Sequence, residues 1–186
     1  MPVDPSTLHI HNYPAEVLRQ RADEIDPTPE ILAVAQRMIQ IMHDAPGIGL
    51  AAPQVGLSWR LFVVDVPPDD DPEHHRSPDD DPPTATQGPQ IYINPVIEKF
   101  EGRPEAAEEG CLSLPRILGD VIRPTAVTMS YTDPDGARHT RRAAGLLARC
   151  WQHELDHLDG VLILDRMTLP SRTRVRARVR ELERGL

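Results

Sequence analysis

The run AAGLLARCWQHELDHLDG, residues 143–160, decides how this chain is to be read. Leu146, Leu147, Cys150, His153, Leu155 and His157 recur at helical spacing, so a helix is expected from about Ala143. On that helix His153 and His157 stand one turn apart on one face with Glu154 beside them, and both imidazoles can grip a single metal ion. Leu155, Leu158 and the following VLIL set the helix next to a core, which argues against a pair of solvated histidines.

Two ligands do not complete a site. Cys111, in EEGCLSLP at 108–115, is the candidate third, because a thiolate and two imidazoles leave one tetrahedral position open, as catalytic sites require. Three rival uses stand beside it. Cys111 is a nucleophile with a histidine base, or it is a buried inert thiol, or Cys150 is the ligand in its place. Cys150 lies one turn before His153, where three donors on one helix would crowd the ion, and it is read as pocket lining. An extended zinc-peptidase helix would need a histidine three residues beyond Gly160, where Ile163 stands. Glu181 and Glu183, the downstream alternatives, fall in an arginine-rich segment.

Outward from this helix, Thr28 caps an expected N-terminal helix with Pro29 at its first position. Its buried stripe is read as Ile31, Leu32, Ala35, Met38, Ile39 and Met42, up to a break at Pro46 and Gly47. GIGLAAPQVG (47–56) is read as a loop and LFVVDV (61–66) as a buried strand. IYINPVIEKF (91–100) and AVTMSYTD (126–133) are further strands, the second folded back by DPDG onto ARHTRR. The expected architecture is a single α+β domain over residues 1–186. In it a central metal-binding helix packs against partly antiparallel β-sheets, with helices at the N- and C-terminal ends.

The formal charge of -9 is unevenly placed. Residues 67–89 hold seven acids against Arg76, together with seven prolines. This acidic insertion is expected as a solvated or disordered loop that neither forms a ladder nor buries apolar surface. His74 and His75 within it could take stray metal, and the solvated loop is the preferred reading. Residues 171–186 reverse the sign, with six arginines against Glu181 and Glu183. That basic C-terminal helix suits a phosphate-rich surface, or is simply a solvated face. No run of about 18 apolar residues occurs, and the N-terminus lacks the basic start and apolar stretch of an export signal. A cytoplasmic protein with reduced thiols, no membrane partner and no specific DNA partner is expected.

Three blocks together, GIGLAAPQVG (47–56), EGCLSLP (109–115) and QHELDHLDG (152–160), resemble the three signature motifs of the peptide deformylases in order and spacing. The resemblance extends weakly over most of the chain, including Leu18 and Arg19. It implies a metal-dependent hydrolase that removes the formyl group from the N-terminal formylmethionine of new polypeptides and releases formate. Cys111, His153 and His157 would hold one divalent ion, Fe2+ by preference, with Zn2+, Ni2+ or Co2+ as replacements. Glu154 would be the general acid and base for a metal-bound water, and Gln54 with the Leu112 N–H would steady the oxyanion. Gly49 would let the substrate chain pass close, while Ile48, Glu109 and Leu112 would form or support the methionine pocket. The partners implied are formylmethionyl nascent peptides and, through the arginine-rich segment, the ribosome. A metal-dependent peptidase and a metal-binding interaction module are the alternatives; only the module would keep its full function without Glu154. Two departures stand out: the long acidic insertion, and Leu118 where some relatives carry an arginine, with Arg116 and Arg123 as substitutes.

Overall fold

The computed structural model describes residues 2–69 and 76–185, so His74 and His75 lie outside the described residues. In chain order the main elements are α1 (Pro29–Asp44), β1 (Gly49–Ala51), β2 (Leu61–Val64), β3 (Gln90–Gly110), β4 (Leu118–Thr132) and β5 (Arg138–Ala144). They are followed by α2 (Gly145–Leu158), α3 (Ile163–Arg166) and α4 (Leu169–Glu183). The strands form one sheet in the order β1-β2-β3-β4-β5, antiparallel at every pairing. The fold is thus α+β, with a single continuous meander in place of several partly antiparallel sheets.

Strand β2 shows why the sheet sits between two helical layers. Leu61 and Val63 join a cluster with Val34, Met38 and Met42 of α1. Phe62 and Val64 join Leu147, Ala148 and Trp151 of α2 on the opposite face. A strand covered on both faces loses the polar alternation of a half-exposed one, and LFVV reads as an unbroken apolar run. Thr28 caps α1 by accepting from the Ile31 N–H at 3.3 Å, and Pro29 follows as expected. The stripe is shifted from the expected one: Val34 and Ile41 are buried, whereas Leu32 is 37% exposed and Ile39 only half-buried.

Two further expectations are corrected. GIGLAAPQVG is not all loop, since Gly49–Ala51 forms the edge strand β1 and Ala52–Val55 a short 3-10 turn closed by Gly56 at φ 85°. IYINPVIEKF does not end at Phe100, because β3 continues to Gly110 through register shifts, one spanning Pro95 and another ending at Pro104. Proline donates no ladder bond, and bulges are where a strand tolerates it. The long β3–β4 hairpin therefore reaches the helix α2, and its turn begins at Cys111.

The acidic insertion is anchored at both described ends. Asp69 and Arg76 exchange backbone bonds at 2.9 Å and form an ion pair at 2.7 Å. Thr86 hydrogen-bonds both ways with the Val66 backbone, and Ala85 is buried against the α2 layer. Proline and acid content point to a solvated or disordered loop, and at its described ends paired backbone groups and one small apolar residue tie it down. At the far end of α2, Gly160 sits at φ 71°, and a Cβ there would lie 2.6 Å from the Arg19 carbonyl oxygen. Only glycine lets the chain turn away so close to that backbone.

Candidate metal centre

Three side chains converge where the β3–β4 turn meets α2. Cys111 comes from the turn and His153 and His157 from successive turns of α2, and their ligating atoms all lie within 4.8 Å of one another. Cys111 Sγ is 3.2 Å from His157 Nε2, and the two imidazole centroids are 5.0 Å apart. His157 is 1% exposed, and its burial together with neighbouring His153 pushes its pKa well down, keeping it neutral as a ligand must be. His153 Nδ1 bonds Glu109 Oε2 at 3.1 Å, which leaves Nε2 to the cluster. Burial lowers the His153 pKa, but hydrogen bonds to Cys111 and Glu109 outweigh it and raise it well above its usual value.

Glu154 is 3% exposed, and its Oε2 has no hydrogen-bond partner among the described residues. Burial pushes its carboxyl up to about 7. A soft thiolate and two imidazoles make a donor set that fits one divalent cation with a position left for water, and the unpartnered carboxylate oxygen of Glu154 lies beside it.

A cavity of about 350 Å³ opens onto this cluster. Ile48, Gly49, Gln54, Glu109 and Leu112, all expected at the site from sequence, line it together with Cys111, His153 and Glu154. Gln54 is 1% exposed; its Oε1 accepts from the Ala51 N–H at 2.8 Å, and its Nε2 donates to Ser113 Oγ at 3.3 Å and to Cys111 Sγ at 3.5 Å. The Leu112 N–H has no acceptor among the described residues. Gly49 is in extended backbone and is required by space instead of by a turn. A Cβ there would overlap Glu154 Oε1 and lie 2.8 Å from Cys150 Sγ. Cys150 is a lining residue as read, with its thiol pKa pushed well up, first by burial.

Glu109 points inward. It accepts from Arg123 at 2.7 and 3.0 Å and from Arg149 at 2.8 Å, besides holding His153. Burial raises its pKa, but the bonds and charges of His153 and Arg123 win and hold it at about 2. Arg123 also reaches Asp156 at 2.9 Å, and Asp156 pairs with Arg166 at 2.7 Å. Sequence reading missed Ser113, Leu146, Arg149 and Asp156, and placed Arg123 at the pocket, whereas it is 5% exposed behind Glu109. Asp159 and Asp165, just beyond the two histidines in the chain, bond Arg60 and Arg19. Leu118 is 51% exposed outside the cavity. The helical period of 143–160 could have exposed Asp156 and Arg149, which lie within a turn of the two histidines.

Comparison with known proteins agrees with this geometry. The polypeptide deformylase family model matches residues 7–173. Peptide deformylase 2 of Gloeobacter violaceus is 45% identical over 161 residues, which are 86% of this chain and 79% of that protein. Among solved structures, a peptide deformylase from Plasmodium falciparum superposes with a TM-score of 0.81 at 36% identity, over 95% of each chain. One from Ehrlichia chaffeensis gives 0.83 at 31% identity over 96% of this chain and 97% of that one. With the motif residues gathered at one metal-binding cluster and the match spanning most of its length, the chain belongs to the polypeptide deformylase family.

Proposed function

We propose that this chain is a metal-dependent hydrolase that removes the formyl group from the N-terminal formylmethionine of newly made polypeptides, releasing formate. The observation that carries this reading is the convergence of Cys111, His153 and His157 beside a cavity that is lined by Cys111, His153 and the unpartnered carboxylate of Glu154. The names of the curated relatives support the substrate class. When bound, a divalent cation supplies a Lewis acid that acidifies water and polarises a carbonyl. Glu154 takes the proton of the attacking water and returns it to the departing amine nitrogen, and a carboxyl near 7 suits both halves of that exchange. The amide of Gln54, fixed by Ala51, and the Leu112 N–H are assigned to the oxygen on which negative charge gathers. Ile48 and Leu112, joined by Leu146 and Cys150, offer the methionine side chain an apolar wall. Gly49 leaves room for the substrate backbone, and Glu109 supports the pocket from behind through His153. Release of formate from a formyl-Met peptide, and no release of acetate from its acetyl counterpart, is the direct test.

Ferrous iron is the proposed metal, with zinc, nickel or cobalt able to replace it. A thiolate on ferrous iron is prone to oxidation, so iron-loaded protein should lose activity in air while zinc-loaded protein keeps its own. Equal decay of both would count against iron. The cytoplasm is the proposed location, supported by two free cysteines and by the lack, among the described residues, of any helix long and apolar enough to cross a membrane.

The ribosome is the proposed docking partner of α4. This helix buries Ser171 and Val175 while Arg172, Arg174, Arg176 and Arg180, and Arg184 just past its end, stay exposed. Changing Arg176, Arg180 and Arg184 to glutamate should abolish co-sedimentation with ribosomes at low salt and leave peptide turnover intact; unchanged co-sedimentation would remove the proposal.

A further inference from the structure

The metal centre draws its donors from two separate elements, a hairpin turn and a helix, so something must fix their spacing. We propose that Arg149 is a positioning residue for the metal centre, clamping the hairpin that delivers Cys111 and Glu109 to the helix that delivers His153 and His157. Arg149 lies one turn before His153 on the same face of α2, with its side chain 14% exposed. Its Nη1 donates to Glu109 Oε1 at 2.8 Å and to the Val121 carbonyl at 3.0 Å, and its Nη2 donates to the Glu105 carbonyl at 2.8 Å. Glu105 and Glu109 belong to β3 and Val121 to β4, so one guanidinium spans both strands of the hairpin whose turn begins at Cys111.

Neutralising Glu109 does not explain these contacts. Arg123 already forms a two-pronged bond to both Glu109 oxygens, and it does so from β4, within the hairpin. What Arg149 adds is the crossing to the helix. The Glu109 carboxylate passes that constraint on, because its second oxygen holds His153 Nδ1 at 3.1 Å and thereby the direction of the ligating nitrogen. A planar guanidinium with donors in a fixed fork transmits such geometry better than a flexible ammonium does. Outer partners of metal ligands commonly change metal affinity by about ten- to a hundredfold when removed. The inference rests on the metal-binding part of the reading above and is independent of the substrate.

The test is the rate at which zinc-loaded protein yields its metal to excess chromogenic chelator, alongside the melting temperature of loaded and metal-free forms. Arg149→Gln should release zinc about ten- to a hundredfold faster than the parent and lose more thermal stability loaded than metal-free. Arg149→Lys should fall between the two. Arg142→Gln, which breaks the exposed pair with Glu101 on the same sheet, should behave as the parent. Release at the parental rate by Arg149→Gln, or an equal loss of melting temperature in both forms, would overturn the proposal by making the residue merely structural. If the glutamine variant does not fold, the lysine variant decides: faster release supports the clamp and parental release rejects it. A parent that binds no zinc would overturn both this inference and the metal reading beneath it, whereas failed formate release with zinc still bound touches only the substrate.

Discussion

Replacing Glu154 by alanine should leave one metal per chain in place and lower formate release by about two to four powers of ten, the usual worth of a positioned acid–base group. The carboxylate is 3% exposed, one of its oxygens has no partner among the described residues, and burial raises its pKa to about 7. Burial makes the charged form costly, and the charges of His153 and Arg123 oppose that cost. A buried polar group without a partner costs free energy, so its presence is explained by chemistry and not by packing. Glu154→Gln, which keeps the shape and removes the charge, should therefore melt no lower than the parent while sharing the loss of turnover. A glutamine variant that retained turnover would show that the carboxylate is not the proton carrier. A variant that lost its metal would show that Glu154 is a ligand.

Cys111→Ala should have the other large effect, with the metal itself lost and turnover reduced to background. The two histidines come from one helix and approach the site from one side, whereas the thiolate closes it from the hairpin turn. Without it the donor set is reduced to two imidazoles, and soft thiolate character, the part that favours iron or zinc over harder ions, disappears. Fold should survive, because Cys111 is only half-buried and the hairpin stays tied to α2 by Arg149 and by the Arg123–Asp156 pair. Metal analysis and the melting curve of the variant, measured together, check both halves. Full metal occupancy after the change would transfer the ligand role to another group, with Cys150 the nearest thiol on α2.

The parts of this molecule that were legible in the sequence are those fixed by local period. Histidines at positions 153 and 157 must share a helix face, LFVV must be buried, and Thr28-Pro29 must start a helix, because each follows from a few neighbouring residues. Which face of α1 is buried was less legible, since Leu32, Val34, Ile39 and Ile41 are all apolar and only the position of the sheet chooses between them. Strand β1 was hidden because glycine and alanine carry little strand preference; it exists because β2 lies alongside to pair with it.

The charged residues behind the site were hardest to find. Arg123, Arg149 and Asp156 look like surface charges in the sequence, and they are largely buried because each meets an opposite charge or carbonyl from a distant segment. Pairing across 33 or 40 residues leaves no local pattern. Glu109 had a place at the site through the family resemblance, but its contact with His153 became visible only once the hairpin and helix were seen together.

The most direct test of the account uses protein purified without oxygen, loaded with one divalent metal per chain and given a formyl-Met peptide, with formate and the peptide product both measured. One formate is expected for each peptide converted, with a product whose chain is intact and begins with methionine and near-background release by the metal-loaded Glu154→Ala variant. Cleavage of an internal peptide bond, or no formate despite a full complement of metal, would contradict the account.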